Sequence, residues 1–184
     1  QSYHIFNTLL HSLAALTLFG LLRRSLLSPM MPEQFIRSSL SLSFVMAALW
    51  SLHPLLTESV TCVIQRTELL GSLFYLLTLY TFVRSLESNA VRWQTLSVLA
   101  CLVGMASKEI MVTAPVIVLL YDRTFVTGDF KKAWSMRWRY YYALSLTWVL
   151  LGFSHLLAQG LGFLLDFCNL RDLTSYPNDF LIQV

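Results

Sequence analysis

Charge is scarce in this chain. Of its 184 residues only 12% are Asp, Glu, Lys or Arg, about half the share found in soluble domains. So little charge cannot clothe a chain that is 56% hydrophobic, and a mean hydropathy of +0.61 points to an integral membrane protein. Cysteine is also rare. Cys62, Cys101 and Cys168 form no metal or redox spacing; Cys62 and Cys168 could pair if they share a compartment, and apolar filler is the simpler reading. Neither a P-loop, a nucleophile elbow nor a Rossmann glycine pattern occurs. His4, His11, His53 and His155 do not compose a metal signature, so no metal site is assigned. The absence of repeats, low-complexity tracts and a heptad seam excludes solenoids and coiled coils. No initiator Met or signal-peptide n-region opens the chain, and both ends enter hydrophobic runs, so a fragment of a longer protein is expected.

What is present is a series of apolar runs. A span needs about 20 apolar residues, and six runs qualify or approach this: Tyr3 to Leu22, Ser38 to Leu52, Leu69 to Val83, Trp93 to Ala106, Ile110 to Tyr121 and Tyr140 to Ala158. The expected fold is all-α, a polytopic transmembrane bundle of about six spans. The basic residues set its orientation, because cytoplasmic loops collect Lys and Arg. With six spans, ten of the thirteen basic residues fall on one side: Arg23, Arg24, Arg37, Arg84, Arg92, Arg123, Lys131, Lys132, Arg137 and Arg139. Joining the fourth and fifth runs into one helix would put the most basic loop outside, so Ser107-Lys108-Glu109 is expected to be a tight outer turn. The segment "KKAWSMRWRYYY" reads as a cytoplasmic interfacial anchor whose cations face lipid phosphates. Topology thus explains the net charge of +3 without a nucleic-acid partner.

The same topology gathers the remaining polar groups on the outer face. His4, Asn7 and His11 share one helix face by their spacing; hydrogen bonding between helices is the simpler reading for Asn7 and His11. In "HPLLTE", Pro54 can open a helix. Glu58, Thr61, Gln65, Glu68 and Ser72 then keep a 3-4-3-4 spacing and form a polar stripe over a wet cavity. Arg66 lies near that stripe, and its planar fork suits a phosphate oxygen. Local ion pairing at an interface would account for these residues equally well. In "SKE", Ser107 as an N-cap and Glu109 in a first helical turn need no further role. Lys108 does, since a cation is unfavourable at a helix N-terminus.

"YHIFNTLLH", "ALWSLHPLLTESVTCVIQRTELLGSLFYLLTLYTF" and "ASKEIMVTAPVIVLLYD" resemble, in order and spacing, the membrane portion of GT-C-fold glycosyltransferases. They are most similar to the protein O-mannosyltransferases in which a transmembrane part precedes tetratricopeptide repeats, and to bacterial relatives. The resemblance runs from about Tyr3 to Asp122; the tail through "YPNDFLIQ" resembles the family's next outer loop and span more weakly. It implies that residues 1–184 are part of one transmembrane domain, with a first span and its outer loop before Gln1 and repeats after Val184. It implies transfer of mannose or another hexose from a polyprenyl-phosphate donor to a protein or glycan acceptor, on the luminal side of the endoplasmic reticulum or the periplasmic side of a bacterial inner membrane. The catalytic acid would lie upstream of Gln1. Here Arg66 and Lys108 would hold the lipid-linked phosphate, His53 and Glu58 would meet sugar hydroxyls or position that acid, and Glu109 would orient Lys108. No organic cofactor is implied, and divalent-metal dependence stays open. A transporter would instead need ionisable groups near the midplane and matched broken helices; a non-catalytic scaffold would lack the upstream acid.

Overall fold

A computed structural model describes residues 2–53, 66–87 and 90–173. Among these the protein is all-α, with seven α-helices: α1 (Ser2–Leu26), α2 (Glu33–Arg37), α3 (Ser39–Ser51), α4 (Arg66–Ser85), α5 (Ala90–Ser107), α6 (Ala114–Asp122) and α7 (Phe130–Leu173). A 3-10 turn, Glu109–Thr113, leads into α6, and a π-helical turn, Arg123–Thr127, comes directly after it. The chain divides into two units, Gln1–Thr147 and Trp148–Val184. The candidate site lies in the first. The second is helical as far as Leu173 and exposes Val149, Phe153 and Leu156.

In the first unit α1 packs against α3 and α4, and α4 packs against α5. The packing faces can be read from helical spacing. On α1, Asn7, Leu10, Ala14, Leu21 and Ser25 are buried and lie along one face. On α3 the buried face is Ser39, Ser43 and Ala47. On α5 it is Ser97, Ala100, Cys101, Gly104 and Met105. Small residues at such contacts let helix backbones approach closely.

Polarity is inverted relative to a soluble protein. Ser43, Thr78, Thr81, Ser97, Asp122 and Thr147 are buried, while Leu16, Phe44, Leu49, Leu99, Ile110 and Val149 are exposed. The buried hydroxyls are satisfied largely within their own helices. Thr78 Oγ1 donates to Phe74 O at 2.8 Å and Ser43 Oγ to Ser39 O at 2.6 Å. Ser97 Oγ crosses between helices to Thr78 O at 2.9 Å and lies 2.7 Å from the Tyr140 hydroxyl.

Two stretches are long and apolar enough to cross a bilayer, Ile5–Leu26 and Glu109–Thr127. The other expected runs also fall on helices, but do not reach that standard among the described residues. The 13 residues of α3 rise only about 20 Å at 1.5 Å each, short of a hydrocarbon core of about 30 Å. The apolarity of α4 is diluted by Arg66, Glu68 and Arg84. In α7, Arg137 leaves helical geometry (φ −131°, ψ 32°), which separates the Trp134 segment from the remainder of the helix.

Arg137 also departs from expectation. Its side chain turns inward instead of facing lipid phosphates: Nη1 donates to both oxygens of the buried Asp122 carboxylate at 3.0 Å, and Tyr141 donates to Oδ2 at 2.5 Å. A carboxylate inside this apolar bundle requires such partners, and Arg137 is the cation within reach.

Candidate functional site

At one end of the first unit, the C-terminus of α3, the N-terminus of α4 and the α5–α6 junction enclose a cleft of about 400 Å³. Trp50, Glu68, Gly71, Ser72, Tyr75, Lys108, Ile110 and Thr113 line it, together with Leu18 and Leu76. Its walls are largely apolar, with the polar groups supplied by α4 and the junction.

The geometry of the α4 wall comes from helical spacing. Glu68, Ser72 and Tyr75 stand at i, i+4 and i+7 and therefore share a face. This continues the stripe expected from Glu58 onward, and both described members of that stripe on α4, Glu68 and Ser72, line the cleft. Tyr75 extends the 3-4-3-4 pattern by a further three residues and was legible in that spacing, yet sequence reasoning missed it. Its hydroxyl lies 3.3 Å from Thr113 Oγ1, so α4 and the 3-10 turn share a polar contact across the cleft. Ser72 Oγ and Thr113 Oγ1 each donate to a carbonyl three residues back, Leu69 O and Ile110 O, at 2.9 and 2.8 Å.

Lys108 is the cation of the cleft. It is the only residue between α5 and the 3-10 turn, and its backbone is extended (φ −156°, ψ 140°). The charged triplet is thus a helix break, as expected, with different internal roles. Ser107 is still part of α5 and bonds back to Val103 O at 3.1 Å instead of capping the next element. Glu109 is exposed at the start of the 3-10 turn. Lys108 Nζ donates to Glu68 Oε1 in an ion pair, so the residue orienting Lys108 is Glu68, where Glu109 was expected. Glycine at 71 leaves room for the stem: a Cβ built there would lie 3.3 Å from Lys108 Cβ, a tight contact, and 3.7 Å from its Cδ. The lysine stem thus lies directly along α4.

The remaining candidates lie around this cleft or away from it. His11 Nε2 lies 3.0 Å from Ser51 O, and its ring stacks on Trp50 at 5.3 Å. It therefore joins α1 to α3 behind the indole that lines the cleft, the helix–helix role favoured from sequence. Asn7 is buried on the packing face of α1. His53 is exposed, two residues past the end of α3. His4 lies on α1 and Arg66 opens α4; their side chains, and the residues Glu58, Thr61 and Gln65, lie outside the described residues. Among the described residues no three His, Cys, Asp or Glu side chains group as metal ligands.

The chemistry available is recognition of an anion with hydroxyls attached. An ammonium offers three donors, of which Glu68 takes one. Tyr75 and Thr113 offer hydroxyls on the wall of the same cleft, and apolar walls raise the strength of a charge-assisted bond.

No family model matches the chain, and no solved structure matches it significantly. It is 31% identical over 125 residues to protein O-mannosyl-transferase TMTC3 of Mus musculus, covering 66% of this chain and 12% of that protein. With TMTC3 of Homo sapiens it shares 27% identity over 131 residues, 70% of this chain and 13% of the relative. The apolar helices and this similarity together point to membrane association. The chain is thus distantly similar, over about an eighth of the relatives' length, to protein O-mannosyl-transferase TMTC3, in agreement with the membrane GT-C resemblance carried by its motifs.

Proposed function

We propose that the chain forms part of a multi-pass membrane glycosyltransferase, in which the Lys108 cleft takes the phosphate of a polyprenyl-phosphate-linked sugar. The six apolar runs serve as spans or partial spans, with the cleft at the luminal or periplasmic end and the arginine-rich helix ends opposite. The sugar is mannose or another hexose, and the acceptor is a protein or glycan. The observation that carries this reading is the Glu68–Lys108 pair at the mouth of a largely apolar cleft. A lipid-linked phosphate needs a cation for the headgroup and an apolar route for the chain beside it, and this arrangement supplies both.

Lys108 binds the phosphate and stabilises negative charge as it leaves the sugar. Glu68 holds the lysine in place before the donor arrives. Arg66, two residues before Glu68, is assigned to the same phosphate. His53 and Glu58 are assigned to sugar hydroxyls, and Tyr75 and Thr113 join them from the described wall. The base for the acceptor hydroxyl is assigned to none of these residues.

The test is sugar transfer from a polyprenyl-phosphate donor by the intact protein. Losing one stabilising donor of this kind costs about a hundred-fold or more in rate, so Lys108→Met and Arg66→Ala should each do so at unchanged expression. Full activity in both variants would overturn the phosphate assignment.

A further inference from the structure

A second cavity, of about 490 Å³, lies between α1 and the C-terminal part of α4. Its organising group is Tyr80. Arg24 lies over the Tyr80 ring, 5.5 Å from its centroid, and Arg84 Nη1 donates to the Tyr80 hydroxyl at 2.9 Å. Arg23, exposed, is on the rim. The Tyr80 ring reaches α1 only because residue 20 is glycine: a Cβ there would come within 2.8 Å of Tyr80 Cε2.

Charge does not balance at this cavity. Of the charged residues that line it, Glu87 pairs with Arg24, leaving Arg23 in excess and outside the ion pairs among the described residues, while Arg84 is engaged by the Tyr80 hydroxyl and by the Trp93 ring, 4.5 Å from its centroid. An anion at the cavity would offset the charge that Glu87 leaves uncompensated. The rest of the lining, Leu16, Phe19 and Leu27, is apolar.

The shape of the anion is set by α1. Leu9, Leu13, Leu16, Gly20 and Arg23 stand at spacings of 4, 3, 4 and 3, one stripe of the helix. The three leucines are 57%, 49% and 64% exposed. From Leu13 to Arg23 the helix rises about 15 Å, the depth of one leaflet's hydrocarbon. An apolar track one leaflet long thus ends at Arg23 and Arg24 beside a cavity.

We infer that this cavity is a binding site for an anionic phospholipid, with its phosphate at Arg23 and Arg24 and an acyl chain along Leu16 and Leu13. It is separate from the Lys108 cleft and does not depend on the reading given there. Lipid at this position would pin α1 to α4 at the arginine-rich end of the bundle.

The test is native mass spectrometry of the delipidated intact protein, titrated with phosphatidylserine or phosphatidylcholine of identical chains. Phosphatidylserine should bind with clear preference. Each arginine near an anionic headgroup contributes about five-fold, so Arg23→Gln should lower the preference by about that factor and Arg23→Gln with Arg24→Gln by more. Leu16→Gln should weaken both lipids. Arg23 is exposed and outside the described ion pairs, so the single variant decides the matter if the double variant does not fold. Equal binding of the two lipids by the unmodified protein, or an undiminished preference in Arg23→Gln, would overturn the site.

Discussion

Gly71 and Lys108 are in van der Waals register: the space where a Cβ on Gly71 would stand is 3.3 Å from Lys108 Cβ. The glycine costs helix stability, about 0.5–1 kcal/mol relative to alanine in a helix interior, and in return the lysine stem lies flat on α4 with its ammonium at Glu68. Gly71→Ala should therefore keep or raise the melting temperature while shifting the stem by a few tenths of an ångström. Gly71→Val should lift the stem off the helix. A misplacement of about 1 Å can cost a hundred-fold, so donor-lipid affinity should fall by up to about that much in Gly71→Val without unfolding. Unchanged donor affinity in Gly71→Val would show that the stem's path does not matter.

The pair Lys108–Glu68 is only partly sheltered, with side chains 33% and 56% exposed. Pairs this open contribute about 1 kcal/mol or less and weaken with salt. A double-mutant cycle with Glu68→Gln and Lys108→Met, read by denaturation in detergent, should give a coupling of that size that shrinks at high ionic strength. A coupling of about 3 kcal/mol or more, indifferent to salt, would mean a dry pair with a structural purpose.

Local pattern revealed some of this architecture and long-range pairing hid the rest. Helix positions were legible because apolar runs are bounded by charges, and the break at "SKE" was legible because three polar residues interrupt such a run. The partner of Lys108 was not. Glu109 is its neighbour in sequence, but Lys108 is extended, and successive side chains on extended backbone point to opposite sides; Glu68, forty residues away, is brought there by the packing of α5 on α4. The inward turn of Arg137 was hidden for a similar reason. Its neighbours Trp134, Met136, Trp138 and Arg139 are exposed, as an interfacial segment requires, and only the fold shows that Asp122 waits behind it. Six spans were expected because runs were counted by apolarity; among the described residues two helices are long and apolar enough to cross a bilayer, and α3 ends after 13 residues.

His11 should behave as a joint between helices. Its ring bonds Ser51 O on α3 and stacks on Trp50. A polar contact between membrane helices is worth about 0.6 kcal/mol on average, and an aromatic pair adds about 0.5–1.5 kcal/mol. His11→Ala should thus cost about 1–2 kcal/mol and increase proteolysis of the α1–α3 pair. A neutral effect on both readouts would remove His11 from the packing of these helices.

Asp122 and Arg137 set the sharpest expectation about stability. The carboxylate is fully buried and accepts three hydrogen bonds, two from Arg137 Nη1 and one from Tyr141. Removing one charge strands the other, at a cost of about 3–5 kcal/mol, so Asp122→Ala and Arg137→Ala should each destabilise the first unit by that amount. Tyr141→Phe removes a single neutral donor to a charged acceptor and should cost about 1.5–3 kcal/mol. Replacing both charges at once distinguishes an essential charge pair from a filled space. Asp122→Leu with Arg137→Met leaves no stranded ion, and buried pairs replaced by apolar residues of similar volume are often neutral. The double variant should therefore recover most of the stability lost by either single variant, as measured by chemical denaturation in detergent. If it is as unstable as Asp122→Ala, the kink at Arg137 needs the ion pair itself, and α6 is held to the start of α7 by direction as well as by packing.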